Sequence, residues 1–402
     1  MIPVPIHARP ALRRLLGALL VASCAAPVAG QVAPSQAGPS ESGSAIVPKL
    51  RVMVVGDSWA TYEGPAIRQV FLDAGDGDKD LLNIGVPGAK VAVFDSPFWL
   101  AYGKMFLKQN PTIDTIHFSM GGVDFLTSWH ADDPPAVQAA FFDDIAFHIR
   151  HIALELMSVR PNLRVLLTGY DFWNFVEPVA AQPGQLCWDA WINVFHQPTP
   201  EQVNLAMMEM ELRLEDLAEQ SDRIDYVRTI GFLQTLYGYP SKGIPPFSFR
   251  MPDLKLPTPP EAMADAGLDC VHPSEAGYYV LAQHFYGAYY RTRFHPASEL
   301  ALLGPAPGFA GAQNTVKVQG LTPLQPALLY FGFRPALESV GGCTLPLLGV
   351  GEVAATLVLL PDGFGNAGTK FQIPLALEGR ILFTQAVQPG SCRASNVKTT
   401  YL

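Results

Sequence analysis

Two short segments far apart in the chain carry residues that could act together in nucleophilic catalysis. Ser58 lies in "VMVVGDSWATYEG", where an apolar, β-branched run ends and a stretch able to form a helix begins. A serine at this place is either an ordinary helix N-cap or a nucleophile on a strand-to-helix turn. His272 lies in "GLDCVHPSEAGY", three residues after Asp269. In a turn, that spacing lets the carboxylate reach the imidazole, so the pair could activate Ser58.

The other candidate ligands favour structural interpretations. His117 lies among hydrophobic residues of a strand-like run, as expected for a core histidine. His148 and His151 are three residues apart in a helical stretch and could share a metal, but the sequence offers no evident third ligand. No two cysteines have the spacing of metal ligands. We therefore expect neither a metal nor another cofactor.

The elements that must position Ser58 and His272 alternate between strand-like and helix-like stretches. The predicted strands are "LRVMVVG", "LLNIG", "TIHFSM", "LRVLLTGY" and "IDYVRTI". Each run is short, continuous and apolar, which is typical of strands buried on both faces. The predicted helices cover about 61–73, 135–158, 199–220 and 273–292. The alternation predicts a parallel sheet with helices on both faces, which is a three-layer α/β fold.

The C-terminal part has a different pattern. From about residue 308 the chain contains short strand-like runs broken by Gly and Pro, with "DGFGN" as a turn, and we predict a small all-β sandwich-like domain. The predicted organisation is a signal peptide (1–30), a Ser/Pro/Gly-rich linker (31–48), the α/β domain (49–295), a second linker (296–307) and the β-rich domain (308–402).

The N-terminal residues have the features of an export signal. Three arginines precede the apolar run from Leu15 to Ala22, and small residues follow. The run is too short to span a membrane. Two processing routes remain open, namely cleavage near Ala29 or Gly30 and lipoprotein processing at Cys24. Both routes predict an exported protein, either extracellular, periplasmic or on the cell surface, without a transmembrane segment.

The net charge and the cysteine content indicate which partners and which cellular compartment suit this protein. The formal net charge is -9 and the sequence has no basic cluster, so nothing favours nucleic acid as a partner. Besides Cys24, the chain has four cysteines, and an even number in an exported chain predicts disulfides. Pairing by region gives Cys187–Cys270 and Cys343–Cys392. The first bond would hold the loop that carries Asp269 and His272.

"GDSW" and "DCVHP", at opposite ends of the α/β region, resemble the motifs of the SGNH hydrolases, also called GDSL esterases and lipases. The resemblance covers about residues 50–293. It implies a flavodoxin-like α/β fold of the SGNH type. It also implies that Ser58 is the nucleophile, His272 the base, and Asp269 the acid that orients the base.

The resemblance is less even for the oxyanion hole. In "NIGVPGAK", Gly88 matches the family's glycine, so the Gly88 and Ser58 amides are expected to bind the oxyanion. The family pattern Gly-x-Asn-Asp becomes "GGVD" here, which puts Val123 where an asparagine is expected. A valine side chain donates no hydrogen bond, and losing one such donor costs roughly 100- to 1000-fold in rate. Asn174, after the fourth strand, is a candidate substitute.

These observations predict an exported serine hydrolase that cleaves ester bonds through an acyl-enzyme on Ser58. The resemblance leaves a carboxylesterase or lipase and a carbohydrate acetylesterase as options, so the substrate is a lipid, a small ester or an acetylated glycan. Two alternatives remain. Val123 favours a non-catalytic or weakly catalytic glycan- or surface-binding protein on the same scaffold. An O-acyltransferase would use the same acyl-enzyme, with a sugar hydroxyl in place of water.

Overall fold

The centre of the fold is a parallel sheet of five strands. Its strands are β1 (Lys49–Gly56), β2 (Lys79–Asn83), β3 (Thr115–Ser119), β4 (Arg164–Thr168) and β5 (Ile224–Val227). They are hydrogen-bonded in the order β2-β1-β3-β4-β5, which is the flavodoxin-like order. Every residue of β3 is buried, as its apolar run predicts for a strand covered on both faces. The predicted three-layer α/β fold is confirmed.

The computed structural model describes residues 48–402 apart from 182–184, 249, 297–298, 341–342 and 344–347. The predicted signal peptide, Cys24 and all but the last residue of the predicted linker 31–48 lie outside the described residues. Among the residues described, no helix is both long and apolar enough to cross a membrane.

Helices connect and cover the strands of the sheet. They are α1 (Ser58–Asp73), α2 (Val91–Phe94), α3 (Pro97–Gln109), α4 (Gly122–Ser128), α5 (Pro135–Met157), α6 (Val176–Ala181), α7 (Leu186–Asp189), α8 (Pro200–Glu219), α9 (Phe232–Tyr237), α10 (Glu275–Phe285) and α11 (Arg291–Phe294). A π-helical turn, Ala190–Val194, follows α7, and a second one, Tyr286–Tyr290, joins α10 to α11.

Capping side chains decide where two of the predicted helices begin. Helix α1 begins at Ser58, three residues earlier than predicted, because the Asp57 side chain accepts a hydrogen bond from the Trp59 amide. Helix α10 begins at Glu275, and its N-cap is Ser274, whose hydroxyl accepts from the Gly277 amide. The predicted start at Pro273 is therefore two residues too early.

The C-terminal strands form a single mixed sheet of eight strands. They are β6 (Glu299–Ala306), β7 (Gln313–Gln319), β8 (Ala327–Glu338), β9 (Leu348–Leu359), β10 (Ala367–Gln372), β11 (Ile381–Gln388), β12 (Arg393–Ser395) and β13 (Lys398–Tyr401). The order is β10-β7-β6-β12-β11-β8-β9, and β13 pairs with β11. All pairs are antiparallel except β6 with β12.

Strand β6 corrects the predicted linker 296–307. Its residues alternate between exposed and buried, with Leu300 and Leu302 almost fully buried, so the segment has the two-residue period of a strand. The eight-stranded sheet also contributes to the hydrophobic core of the α/β part. Phe383 of β11 contacts Phe232 of α9 with ring centroids 5.7 Å apart, and the Val397 amide donates to the Gly287 carbonyl.

Two disulfides are present, Cys187–Cys270 and Cys343–Cys392. They are the two pairs that the sequence analysis predicted from the position of the cysteines along the chain. The first joins α7 to the loop before α10, and the second joins the segment before β9 to the turn between β11 and β12. Two such bonds are consistent with an extracellular protein.

Candidate active site

The structure brings Ser58, His272 and Asp269 into one hydrogen-bonded chain. The Ser58 hydroxyl lies 2.7 Å from Nε2 of His272, and Nδ1 of His272 lies 2.7 Å from Oδ2 of Asp269. Ser58 is the first residue of α1, directly beyond the carboxyl end of β1. The helix cap is Asp57 and not Ser58, so the Ser58 hydroxyl is available to the imidazole. The N-cap interpretation of Ser58 is therefore wrong.

The Asp269 carboxylate organises the loop that carries the base. Its second oxygen, Oδ1, accepts hydrogen bonds from the amides of Val271 and His272 at 2.8 and 2.9 Å. Burial alone would raise the pKa of Asp269, but the hydrogen bond and charge of His272, together with these amides, hold the pKa below its ordinary value. Asp269 is therefore ionised at neutral pH and favours the His272 tautomer whose Nε2 can accept the Ser58 proton.

Four further contacts hold this loop against the rest of the fold. The Cys187–Cys270 bond crosses from α7, and the Asn174 amide donates to the Cys270 carbonyl. The Trp59 indole donates to the Val271 carbonyl at 2.8 Å, so the residue after the nucleophile is fastened to the residue before the base. The Tyr62 ring packs edge-to-face against His272, with centroids 5.1 Å apart.

On the other side of Ser58, the Asp57 carboxylate is linked by hydrogen bonds to the first amides of α4. The Tyr170 hydroxyl donates to Oδ2 of Asp57 at 2.6 Å and accepts from the Gly122 amide at 2.8 Å. The Val123 amide also stabilises the Asp57 carboxylate. Burial raises the pKa of Asp57 to about 6 against these hydrogen bonds. The first amides of α4 are thus occupied and do not face an incoming substrate.

The loop that carries Gly88 follows β2 and is fastened at both ends. The Val86 amide donates to the carbonyl of Gly56, two residues before Ser58, and the Val91 amide donates to the buried Asp124 carboxylate at 2.9 Å. Gly88 has φ of +77°, and beyond its two chain neighbours no heavy atom lies within 4 Å of the position of a Cβ there. Within the described part of the chain, the Gly88 amide makes no hydrogen bond, so it is a free donor.

Two other residues singled out in the sequence do not reach the site. Asn174 is fully buried, and its side-chain amide donates to the Thr258 carbonyl at 2.8 Å, so it does not replace the missing asparagine. His117 is also fully buried, between Tyr290 and Thr168, and burial lowers its pKa to about 3. It is a neutral core residue, as its sequence context indicated.

The acidic partner that the sequence did not reveal for His148 and His151 is Asp95, which follows α2. Each imidazole Nδ1 contacts a different oxygen of its carboxylate. Among the described residues, no group of three or more His, Cys, Asp or Glu has the geometry of a metal site.

Two recesses lie beside the Ser58–His272 pair. The first, the Ser58 recess, has a volume of about 20 Å³ and is lined by Asp57, Ser58, Trp59, Gly122, Val123, Leu126, Tyr170, Trp173 and Val271. The second, the His272 cleft, has a volume of about 1100 Å³, and both recesses are open to solvent on one side. Its walls are α1, α10 and the segment between Glu261 and Ser274. His272 lines only the cleft, and Ser58 lines only the recess.

Sequence reasoning missed Tyr170 and Trp173 as residues of the site. Both lie in the loop after β4, where the sequence shows only an aromatic cluster that fits a pocket wall and loop packing equally well. No local spacing links Tyr170 to Asp57, 113 positions earlier. The order of the strands brings them together, because β4 lies beyond β3 in the sheet and its carboxyl end faces the same edge as that of β1.

No protein-family model matches the sequence, and the comparison with curated proteins found no match. Similar solved structures include the periplasmic domain of a lipopolysaccharide acetyltransferase from Salmonella ser. Paratyphi A, at 12% identity and a TM-score of 0.38, covering 60% of this chain and 83% of that chain. A carbohydrate esterase family 3 protein from Talaromyces cellulolyticus has 11% identity and a TM-score of 0.32, covering 59% and 92%. A carbohydrate acetylesterase from Sinorhizobium meliloti has 11% identity and a TM-score of 0.34, covering 58% and 94%.

Proposed function

We propose that this protein is a serine esterase of the SGNH type that works through an acyl-enzyme on Ser58. The observation that carries the proposal is the unbroken hydrogen-bonded chain from the Ser58 hydroxyl through His272 to Asp269, with 2.7 Å at each step. A serine hydroxyl is a weak nucleophile until a neighbouring base accepts its proton, and this chain supplies the base and the group that orients it.

The first half-reaction forms the acyl-enzyme. The Ser58 Oγ attacks the ester carbonyl carbon while Nε2 of His272 takes the hydroxyl proton. Asp269 stabilises the imidazolium that results, because its carboxylate contacts Nδ1. When the tetrahedral intermediate collapses, His272 returns the proton to the departing alkoxide, and the alcohol leaves. In the second half-reaction, His272 takes a proton from water as the water oxygen attacks the acyl carbonyl carbon. The bond between the acyl carbon and Ser58 Oγ then breaks, His272 returns the proton to Ser58 Oγ, and the carboxylic acid leaves.

The Ser58 and Gly88 amides are the proposed donors to the oxyanion. The free Gly88 amide supports this assignment, and so do the hydrogen bonds that fasten its loop beside the end of β1. Val123 supplies no third donor from its side chain, and the α4 amides are occupied by Asp57 and Tyr170. We therefore expect an esterase with two oxyanion donors and with a lower rate than a site with three would reach.

Labelling and turnover test the proposal together. The folded protein is treated with a fluorophosphonate probe, and hydrolysis of p-nitrophenyl acetate is measured. We expect labelling and hydrolysis in the wild type and in Ser158→Ala, a control at the exposed C-cap of α5, and neither in Ser58→Ala. A folded wild type that shows neither would overturn the proposal and favour the binding-protein alternative.

A further inference from the structure

The two recesses beside Ser58 differ in volume, and we propose that each receives a different half of the ester. The Ser58 recess receives the acyl group and limits it to about the size of acetyl, and the His272 cleft receives the alcohol. This inference rests on the proposed function, and it concerns which esters the site accepts.

The direction of proton transfer decides which recess receives which half of the ester. His272 must protonate the alkoxide as it leaves, so the alcohol has to lie beside the imidazole. The His272 cleft is lined by the imidazole, whereas the Ser58 recess is lined by the nucleophile and not by the base. The acyl group stays on Ser58 after the alcohol has left, and the recess that Ser58 itself lines is the space next to it.

The size of the Ser58 recess limits the acyl group. A volume of about 10–15 Å³ on this measure holds one water molecule. The recess offers about 20 Å³, which is room for a methyl group and little more. Val123 and Leu126 form one wall from α4, and Trp173 and Tyr170 form another from the loop after β4. Val123, which occupies the position of the asparagine in the family pattern, thus restricts the size of the acyl group.

The walls are held in place by packing and by hydrogen bonds. Trp173 is only 3% exposed and makes edge-to-face contacts with Phe125 and Tyr170. Tyr170 is fixed through its hydroxyl, which contacts both Asp57 and the Gly122 amide. An acyl chain that extends inward beyond the volume of the recess would have to displace close-packed aromatic rings, and adding volume to a well-packed region is costly.

A series of p-nitrophenyl esters tests acyl size while the alcohol stays constant. We expect kcat/KM for the butyrate to be at least about tenfold below that for the acetate, because one methylene is worth roughly 10- to 200-fold in a close-fitting pocket. Val123→Ala and Leu126→Ala should each raise the butyrate-to-acetate ratio, whereas Leu154→Ala, on the exposed face of α5, should leave it unchanged.

The proposal is overturned if the wild type hydrolyses butyrate and hexanoate esters as well as acetate, or if neither α4 variant shifts the ratio while remaining folded by circular dichroism. Because these rates are compared only when hydrolysis is lost in Ser58→Ala, failure of the size limit is distinguishable from failure of the esterase function.

A second inference rests on a different observation, the charge of the His272 cleft. Its described lining residues include four acidic side chains and no Lys or Arg. The acids are Glu261, Asp265, Asp269 and Glu275. We infer that the alcohol half of the substrate is hydroxyl-rich and carries no negative charge, as in a neutral oligosaccharide.

Aromatic side chains complete this cleft. Tyr62 is 50% exposed beside His272, and Tyr278 and Tyr279 of α10 line the same cleft. The exposed Tyr62 ring presents an apolar face to a sugar ring, while carboxylates accept hydrogen bonds from its hydroxyls. Like charges focused in a cleft repel an anionic substrate, and the repulsion weakens as salt is added. The volume of about 1100 Å³ is sufficient for several sugar rings.

Two acetylated oligosaccharides that differ in charge test this second inference. We expect kcat/KM on an O-acetylated neutral xylo-oligosaccharide to exceed that on an O-acetylated oligogalacturonate by at least about tenfold at low salt, with a smaller ratio at high salt. The double variant Glu261→Gln/Asp265→Asn should reduce the ratio. Asp216→Asn/Glu219→Gln, which neutralises two exposed acids of α8, is the matched control and should leave it unchanged. Equal or better turnover of the anionic substrate by the wild type would overturn the inference.

Discussion

The two sides of Ser58 are built by different means. On the base side, the side chains of Asp269 and His272 supply the chemistry. They lie three residues apart in a loop that a disulfide fastens. On the oxyanion side, the site is formed by backbone amides and by packed side chains. Gly88 offers an amide from a fastened loop, and the Val123 side chain contributes only volume. The base side is therefore encoded in residue types, whereas the oxyanion side is encoded mainly in the path of the chain.

The largest effect should come from the base side. Asp269→Asn should lower kcat for p-nitrophenyl acetate by on the order of 10⁴-fold, because an amide no longer holds the imidazole in the productive tautomer or stabilises its charged form. Steady-state kinetics with Asp144→Asn, an aspartate whose side chain is 73% exposed on α5, as the control measures this loss. A loss smaller than about tenfold would mean that Asp269 does not have the orienting role.

Removing each disulfide in turn distinguishes an effect on the position of the catalytic residues from an effect on overall stability. Removing either bond by Cys→Ser substitution should cost about 4 kcal/mol of unfolding free energy in the loop-entropy model. The bonds join residues 83 and 49 positions apart. Only loss of Cys187–Cys270 should also lower kcat/KM of the folded protein, and reducing agent should do the same. Denaturant titrations combined with initial rates measure both quantities, and an equal loss of rate in the two double variants would contradict the distinction.

A smaller effect is expected from the oxyanion side. Asp124→Ala removes the acceptor of the Val91 amide and so loosens the loop that carries Gly88. We expect kcat to fall by up to about 100-fold with little change in KM, since a misplaced donor acts in the transition state. Asp124→Asn keeps an acceptor oxygen and should restore most of the rate. If the two variants are equally slow, the hydrogen bond to Val91 is not what positions the loop.

The smallest effect should come from Glu63, which is buried in α1, five residues after Ser58. Its carboxyl oxygens make no hydrogen bond of normal geometry within the described part of the chain, and Oε2 lies 3.7 Å from Nε2 of the neutral His117. Burial, followed by the charge of Asp57, raises the pKa of Glu63 from 4.5 to about 8. Between those two values the folded protein binds more protons than the unfolded chain, so stability falls as pH rises.

Glu63→Gln should abolish this part of the pH dependence. Urea midpoints at pH 6 and pH 9 measure it in the wild type and in the variant. We expect the wild type to lose more stability than the variant between these two pH values, with little change in the rate of ester hydrolysis at pH 6. Parallel profiles in the two proteins would show that the carboxyl does not titrate in this range.

Local patterns in the sequence were sufficient for much of the molecule. The alternation of apolar runs predicted the parallel sheet, and "TPEQ" has the residue types of the capping box that Thr199 and Gln202 form at α8. The Asp-x-x-His spacing predicted which carboxylate contacts His272, because three residues in a turn leave little geometric freedom. The linker assigned to 296–307 was wrong because the strand period of β6 covers only a few apolar residues between prolines.

Contacts between distant segments were beyond such patterns. The pairing of Trp59 with Val271, the Asp57–Tyr170–Gly122 network and the partner of His148 and His151 each join residues at least 48 positions apart. Asn174 was a reasonable candidate donor by residue type, but its side-chain amide already donates a hydrogen bond to the Thr258 carbonyl. A residue type states what a side chain can do, and burial and neighbours decide whether it is free to do it.

The sequence by itself determined the residue types and the local spacing that make Ser58 a candidate nucleophile with a base and an orienting acid. It did so because strand-to-helix turns and short loops are governed by near neighbours. Only the tertiary structure decided that Asp57 caps the helix, that the Gly88 amide has no hydrogen-bond acceptor among the described residues, and that Val123 forms part of the wall of a small recess. These features depend on which strands lie side by side at the carboxyl edge of the sheet, and that order is set by packing across the whole chain.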